Sequence, residues 1–223
     1  MKQLLTLDGL EAEARDFVID MSTRKFPSLF GASDGKAVGT FVEHEFHRYL
    51  DTAYFYEAGN SASGMDFPKL GVDLKVTSVR QPQSSCPFDS ASQKVFGIGY
   101  HLMVFVYEKI DDSKKRIANL DFQHAVFVDK EHTADYQTTR GIIDILDKNG
   151  NEDDIAGFLE EWNLPLDEIG RKQLSIRIMK ERPKQGYLTV SNALQWRLQY
   201  GRIVSIASEG GNEGVVNLLS KDK

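Results

Sequence analysis

A run of six apolar residues, LMVFVY at positions 102–107, constrains the fold of this chain more than any other segment. No polar side chain interrupts it, so a β-strand formed there has both faces buried. Such a strand requires a sheet that is covered by helices on its two sides. A membrane-spanning helix needs about 18 or more consecutive apolar residues, and the chain contains no run of that length, so we expect no membrane association.

The flanking segments predict a mixed β-sheet with helices on its faces. Hydrophobic periodicity and capping residues predict helices near 1–21, 35–50, 89–100, 137–148, 152–162, 166–181 and 191–200. Alternating or β-branched stretches predict strands near 53–57, 64–78, 102–107 and 117–129. The fold class is therefore α/β. We expect a single domain over 1–223, with a core at about 35–130 and a helical C-terminal region at about 133–207.

Length and cysteine content limit the class of protein. A chain of 223 residues fits one domain and can bury a real core. The one cysteine, Cys86, excludes an internal disulfide and a cysteine-based zinc site. The N-terminus has no continuous apolar stretch of the kind found in signal peptides. A reducing, cytoplasmic location is the expectation.

The net charge of −6 conceals two segments of opposite sign. Residues 141–168 contain nine acids and one base, whereas residues 171–202 contain eight bases and one acid. A polyanion such as DNA responds to the local field rather than to the sum of charges. The alternative is that these are two solvated helix faces of opposite sign, and the sequence leaves both interpretations open.

The segment GMDFPKLGVDLKV at 64–76 carries the most informative polar residues. If the chain turns between Lys69 and Leu70, Asp66 lies opposite Asp73 on an antiparallel pair. Lys75 follows Asp73 by two residues, and the period of a strand places it on the same face. The pattern predicts two carboxylates and one ammonium group in a small patch. If the turn has a different geometry, Asp66 and Asp73 are ordinary polar residues of a hairpin.

Adjacent carboxylates repel each other unless a cation lies between them. Mg²⁺ prefers oxygen ligands, and it can activate water and neutralise charge on a phosphodiester. A third acid could come from the helix at 35–50, where Glu43 and Glu45 border opposite edges of the apolar stripe. Either glutamate could reach the hairpin, or both could be solvated.

The succession of G-x3-E on a helix, an acid, and D-x-K followed by V-T resembles the PD-(D/E)XK nuclease superfamily, which includes type II restriction endonucleases. The resemblance covers about residues 35–106, with Met65 in place of the proline of the motif and a short gap between the two aspartates. It implies a restriction-endonuclease-like fold and a catalytic site of Glu43, Asp66, Asp73 and Lys75. In that site, Glu43, Asp66 and Asp73 bind Mg²⁺ and Lys75 assists the attacking water.

Polar residues after the D-x-K strand are candidates for contacts with DNA. Glutamine can pair with adenine and arginine with guanine, and serine suits phosphate contacts. The candidate DNA-binding residues are Ser61, Ser63, Arg80, Gln81, Gln83, Ser84, Ser85, Arg197 and Arg202. The segment 77–87 could equally be a surface loop, and the helix expected at 191–200 could equally be a packing helix.

Together these observations predict a Mg²⁺-dependent type II restriction endonuclease that hydrolyses double-stranded DNA at a specific sequence. The family further implies a homodimer on a palindromic site, because protein symmetry mirrors site symmetry. Two alternatives remain from the sequence. One is a structure-selective nuclease, such as a junction resolvase or repair nickase, and the other is a non-catalytic DNA-binding protein on a nuclease scaffold.

Overall fold

The structure, a computed structural model, describes residues 2–59, 64–86, 89–191 and 196–220. Its α-helices are α1 (Leu7–Thr23), α2 (Gly35–Leu50), α3 (Gln93–Phe96), α4 (Tyr136–Asp147), α5 (Glu152–Glu161), α6 (Glu168–Lys180) and α7 (Gly201–Ser208). Its strands are β1 (Gln3–Leu4), β2 (Tyr54–Phe55), β3 (Val72–Ser78), β4 (Gln83–Cys86), β5 (His101–Asp112), β6 (Ile117–Val128), β7 (Thr189–Val190), β8 (Trp196–Gln199) and β9 (Val215–Asn217). None of the described helices is both long and apolar enough to cross a membrane.

The chain divides into two compact units. Unit 1 comprises Met1–Pro82, His101–Val128 and Val204–Lys223, and unit 2 comprises Gln83–Tyr100 and Asp129–Ile203. The sequence predicted a single domain over 1–223, with a core at about 35–130 and a helical C-terminal region at about 133–207. That assignment stays a prediction.

A four-stranded mixed sheet forms the centre of unit 1, in the order β3-β5-β6-β9. β3 runs parallel to β5, whereas β5 with β6 and β6 with β9 are antiparallel. The apolar run lies in β5, between β3 and β6, and Leu102–Tyr107 are all buried. The expected buried strand and the α/β class with a mixed sheet flanked by helices are therefore confirmed.

Helices α1 and α2 cover this sheet with their apolar faces. Side chains of Thr6 and Asp34 accept hydrogen bonds from backbone N–H groups in the first turns of α1 and α2, which fixes where the helices begin. Phe17 of α1 lies 4.9 Å from Phe46 of α2 between ring centroids, and Phe46 contacts Phe105 of β5 edge-on at 5.4 Å. These rings join α1, α2 and the sheet in one core.

Unit 2 contains α4, α5 and α6, close to their expected positions. Each helix has a side-chain cap, provided by Asp135, Asn151 and Asp167 respectively. Its apolar core is formed by Val95, Ile142, Ile155, Leu159, Leu164, Leu174 and Ile178. A separate antiparallel sheet, in the order β4-β8-β7, completes the unit.

The prediction of a helix over 191–200 is wrong where the structure describes this segment, because Trp196–Gln199 form strand β8 and helix α7 begins only at Gly201. Residues 192–195 lie outside the described residues. Residues alternate between the two faces of β8: Arg197 and Gln199 are exposed, while Leu198 and Tyr200 are buried. A period of two is that of a strand, and pairing with β4 and β7 satisfies its backbone.

Two further elements are shorter than expected. The helix expected over 89–100 is limited to Gln93–Phe96, because Gly97 and Gly99 adopt positive φ angles of 86° and 91°. A Cβ on Gly97 would lie 2.7 Å from the Lys130 carbonyl oxygen, so glycine is required where the helix ends. The strand expected over 53–57 is reduced to Tyr54–Phe55, which pairs with β1.

Candidate active site

A tight turn brings the two aspartates of the D-x-K segment together. Phe67 and Val72 exchange backbone hydrogen bonds of 3.0 and 3.2 Å across this turn, in the register expected from the sequence. Gly71 adopts a φ of 63°, a conformation that favours glycine, and thereby leads the chain into β3. The predicted turn and the opposition of Phe67 and Val72 are confirmed.

Asp66, Asp73 and Lys75 form a compact cluster beside this turn. One carboxylate oxygen of Asp66 accepts a 2.9 Å hydrogen bond from the Leu74 N–H, and the Asp66 and Asp73 carboxyl groups are close enough to affect each other's pKa. The Lys75 Nζ lies 2.6 Å from Asp73 Oδ2. Asp73 is almost fully buried, with 4% of its side chain exposed, so its charge is poorly solvated.

The pKa values in this cluster reflect burial and mutual contact. Burial raises the pKa of Asp73 to about 7, against the attraction of Lys75, and the interaction with Asp66 adds to the rise. Burial also raises the pKa of Asp66, but the interactions of its carboxyl group with His47, Asp73 and the Leu74 N–H outweigh it, so the pKa is lowered. The pair of carboxyl groups therefore loses its last proton only near neutral pH.

The Lys75 ammonium group is kept charged by the same carboxylates. Burial lowers the pKa of Lys75, but attraction to Asp73, with smaller contributions from Asp66 and Glu43, raises it overall. The cluster therefore presents a fixed positive charge next to an acid that is not fully ionised.

Glu43, rather than Glu45, is the helix glutamate that belongs electrostatically to this cluster. Burial raises the pKa of Glu43, and the charge of Asp66 raises it further, so the two carboxylates act on each other. Glu45 instead forms an ion pair with Arg48 on the surface of α2. Helix α2 packs against β3 at Gly39, where a Cβ would lie 3.6 Å from the Val76 carbonyl oxygen, an ordinary van der Waals contact.

His47 is a neighbour of the cluster that the sequence did not single out, since helix histidines are usually solvated. Its Nδ1 lies 2.9 Å from the Tyr56 hydroxyl, and its ring stacks on Phe67 at 5.1 Å between centroids. These contacts orient the Nε2 atom, which lies 4.0 Å from Asp66 Oδ1. The available signal was the pair His44 and His47 at i, i+3, but the partner aspartate is on another element.

Gly59 is a second residue that sequence reasoning did not identify. Its N–H donates a 2.8 Å hydrogen bond to the Asp66 carbonyl oxygen. A Cβ at this position would lie 1.6 Å from the Met65 carbonyl oxygen, so only glycine permits this approach. An open cavity of about 390 Å³ adjoins this segment, lined by His44, His47, Arg48, Asp51, Tyr56, Ala58 and Gly59.

The cluster suits a divalent ion that takes only a few of its ligands from the protein. Among the described residues no group of three or more His, Cys, Asp or Glu side chains is close enough to hold one ion. Mg²⁺ commonly takes only one or two carboxylates and fills its other positions with water and phosphate oxygens. The opposed carboxyl groups of Asp66 and Asp73 match that requirement, because a cation between them would offset the burial and the mutual repulsion that raise the pKa of Asp73.

The candidate DNA-binding residues are distributed over both units. In unit 1, Arg80 and Gln81 are exposed on the turn after β3, and Arg80 lies 3.7 Å from Glu108. Ser61 and Ser63 lie outside the described residues. In unit 2, Arg202 stacks on the Tyr136 ring at 3.5 Å from its centroid.

The other candidates of unit 2 are brought together by one sheet. Gln83, Ser84 and Ser85 form part of β4, which pairs with the strand that contains Arg197. The segments expected as a loop and a helix are therefore neighbours. The opposite charges noted in residues 141–202 partly neutralise each other, since Arg171 pairs with Glu160 and Arg182 with Asp147.

Comparison with known proteins reveals similarity along nearly the whole chain. Residues 4–217 match the family model described as "Type II restriction enzyme NspV". The chain is 52% identical to the type II restriction enzyme NspV of Nostoc sp. over 215 residues, which cover 96% of this chain and 97% of that relative. No solved structure matches the chain.

Proposed function

The chain belongs to the family of the type II restriction enzyme NspV, and from this premise we propose that it cleaves double-stranded DNA at a specific sequence by hydrolysing phosphodiester bonds. The observation that carries the proposal is the cluster of Asp66, Asp73 and Lys75 at the hairpin. The α/β architecture, with a mixed sheet whose edge strand β3 bears Asp73 and Lys75, supports a restriction-endonuclease-like fold.

Asp66 and Asp73 would hold Mg²⁺, with Glu43 as a further acid of the same site. A bound Mg²⁺ supplies positive charge at the scissile phosphate and lowers the pKa of water. Asp73 must give up its proton when the ion binds, whereas Asp66 is ionised and already held by the Leu74 N–H. Glu43 interacts with Asp66 and Lys75 through its charge and would add negative charge to the site from α2.

Lys75 has the character of a charge stabiliser rather than a base. Its raised pKa keeps it protonated at neutral pH, so it can donate hydrogen bonds to an attacking water and to the oxygen atoms of the phosphate. A fixed ammonium group in a partly buried site stabilises developing negative charge without reorganisation. Its 2.6 Å contact with Asp73 positions it for that role.

Further parts of the proposal follow from the family. Arg80, Gln81, Gln83, Ser85 and Arg197 would contact the duplex, together with Ser61, Ser63 and Arg202. Ser84, a further candidate from the sequence, would not, because its hydroxyl is hydrogen-bonded to the buried Tyr200. A homodimer would match a palindromic site, and sedimentation of the protein with a duplex that contains the site would test this. A cytoplasmic location is expected from the sequence alone.

Incubation of the protein with phage DNA tests the proposal, with Mg²⁺ or with EDTA. We expect discrete fragments only with Mg²⁺, and their ends define the site. Lys75→Ala should give no fragments, while Lys69→Ala should cleave normally, because Lys69 is an exposed turn residue that pairs with Glu57. Intact DNA under all conditions would contradict the proposal, and cleavage of branched DNA alone would favour a structure-selective nuclease.

A further inference from the structure

The β4-β8-β7 sheet of unit 2 has one polar face that is exposed. Gln83 lies directly opposite Gln199, and Ser85 lies opposite Arg197, in the antiparallel pair of β4 and β8. Directly opposed residues point to the same side of a sheet. Gln83 is half-buried, and the other three residues are exposed. Two separate parts of the chain therefore contribute amide, hydroxyl and guanidinium groups to a single surface.

The opposite face of this sheet is internal. Leu198, Val190 and Tyr200 are buried, and the Ser84 hydroxyl is hydrogen-bonded to the Tyr200 hydroxyl. Packing of this face fixes the backbone of β8, and the alternation of the strand then directs Arg197 and Gln199 outward. The polar face is consequently presented by a rigid support, as a surface that reads another molecule requires.

Arg197 and Gln199 have unused hydrogen-bonding capacity. Within the part of the chain that the structure describes, no carboxylate pairs with the Arg197 guanidinium group, and the Gln199 amide has no side-chain hydrogen bond. By contrast, Arg171, Arg177 and Arg182 of the same unit each have an acidic partner. A fork of donors and an amide without partners are the groups that recognise guanine and adenine.

The dimensions of the surface suit the major groove of DNA. The groove is about 12 Å wide and admits a two-stranded β-ribbon. The β7–β8 ladder ends at Val190, after which Ser191 hydrogen-bonds the Arg197 backbone through its N–H and its hydroxyl, so the Ser85–Arg197 end of the sheet consists of β4 and β8 with Ser191 at the edge. Along a strand, alternate residues are about 7 Å apart, which is about two base-pair steps of 3.4 Å. The Gln83–Gln199 row and the Ser85–Arg197 row can therefore meet different base pairs.

We propose that β4 and β8 form the ribbon that reads the DNA sequence from the major groove, with Arg197 and Gln199 as specificity-determining residues. Arg197 reads guanine through its guanidinium fork and Gln199 reads adenine through its amide. Ser84 does not take part, because its hydroxyl faces inward. The inference rests on the proposed function and adds the element by which the enzyme selects its site.

The test compares cleavage of duplexes that contain the mapped site or one of its single base-pair substitutions. The proteins are the wild type, Arg197→Ala, Arg197→Lys and Gln199→Ala. The matched controls are Arg182→Ala and Gln173→Ala, which remove exposed side chains of the same types from unit 2. Binding is measured in parallel with Ca²⁺ in place of Mg²⁺, at several salt concentrations.

We expect Arg197→Ala to lose about 10- to 100-fold discrimination at a G·C pair of the site, and Gln199→Ala to lose it at an A·T pair. Arg197→Lys should recover little of it, since lysine lacks the guanidinium fork. The controls should discriminate as the wild type does.

Three results would overturn the inference. The first is unchanged discrimination in both variants while the wild type cuts its site. The second is equal weakening on all sequences with a reduced salt dependence, which indicates phosphate contacts. The third is a wild type without sequence preference, which would refute the proposed function itself and is read from the wild-type reactions alone.

Discussion

The cluster of unit 1 and the polar sheet face of unit 2 differ in how deeply their polar groups are buried and in how strongly these groups interact with one another. Asp66, Asp73 and Lys75 are partly or wholly buried and their charges act strongly on each other, so the cluster is poised for an ion that the protein itself does not supply. Arg197 and Gln199 are exposed, and in the described residues their side chains lack acidic or hydrogen-bonding partners. In the proposed enzyme, the cluster supplies the chemistry through closely spaced charges, whereas the sheet supplies specificity through polar groups that are rigidly placed and solvated.

The largest effect on the cleavage rate should come from removing a side chain of the cluster while the recognition surface is left intact. Lys75→Ala should slow single-turnover cleavage by about 10²- to 10⁴-fold, because a positioned ammonium group is lost from the reacting phosphate. Site-specific binding in Ca²⁺ should persist in this variant. Quench-flow kinetics and fluorescence anisotropy measure the two quantities. A comparable loss of specific binding would contradict the assignment of chemistry to the cluster and of recognition to the sheet.

His47 tests whether the cluster depends on its immediate surroundings. His47→Ala should raise the Mg²⁺ concentration needed for half-maximal cleavage by about 10-fold or more, since side chains that orient metal ligands affect metal affinity on this scale. His47→Gln, which keeps an N–H near the Nε2 position, should restore most of it. His44→Ala, on the same helix and exposed, is the control. An unaltered Mg²⁺ dependence in His47→Ala would show that Asp66 needs no such support.

Asp73 should cost the folded protein stability above neutral pH. Its pKa is raised from 3.8 to about 7 in the folded state, so the folded protein holds a proton that the unfolded chain releases between these values. The contribution of protonated Asp73 to the free energy of unfolding is therefore fully present below pH 3.8, and it is lost as the pH rises through about 7. Asp73→Asn removes this cost but also removes the ion pair with Lys75, which offsets part of the gain. The free energy of unfolding of the metal-free protein at pH 8 should therefore increase by about 2 kcal/mol, less than the shift alone would give.

Urea denaturation at pH 5 and pH 8 in EDTA measures this change. The gain from Asp73→Asn should be larger at pH 8 than at pH 5. A loss of stability at both pH values would mean that the charged Asp73 carboxylate stabilises the fold. The cluster and the sheet would then not differ in the energetic cost of their polar groups.

The smallest effect concerns the support beneath the sheet. Tyr200→Phe removes the hydroxyl that is hydrogen-bonded to Ser84, and we expect a loss of about 1 kcal/mol in the free energy of unfolding. Ser84→Ala should give a similar loss, and the double variant should add little to either, because both changes break one bond. Fully additive losses would show that the two hydroxyl groups act independently.

The sequence predicted the parts of the fold that depend on nearby residues. The hairpin needs only Phe67 and Val72 to pair across a short turn, and its register followed from the pattern of residues. Helices α2, α4, α5 and α6 carry local caps and periodic apolar residues. The assignment to type II restriction enzymes, made on the D-x-K pattern, is confirmed by the family match.

Features that depend on distant partners could not be predicted. Strand β8 has four residues, too few for its alternation to be distinguished from one turn of helix, and its partner β4 lies far away in the sequence. His47 resembles a solvated helix histidine until the ring stacks on Phe67 and faces Asp66. The choice between Glu43 and Glu45 likewise depends on which side of α2 meets β3, and that orientation is set by the packing.

The path of the chain has a consequence for how such an enzyme can acquire a new target. The chain passes from one unit to the other four times, after residues 82, 100, 128 and 203. The strands β4 and β8 that pair in unit 2 come from its two separate stretches. A crossover between related genes that falls between the codons for β4 and β8 would therefore exchange one strand of the ribbon without the other. Inheritance of a new specificity would require both stretches to change together, or point substitutions at the exposed positions that leave the pairing intact.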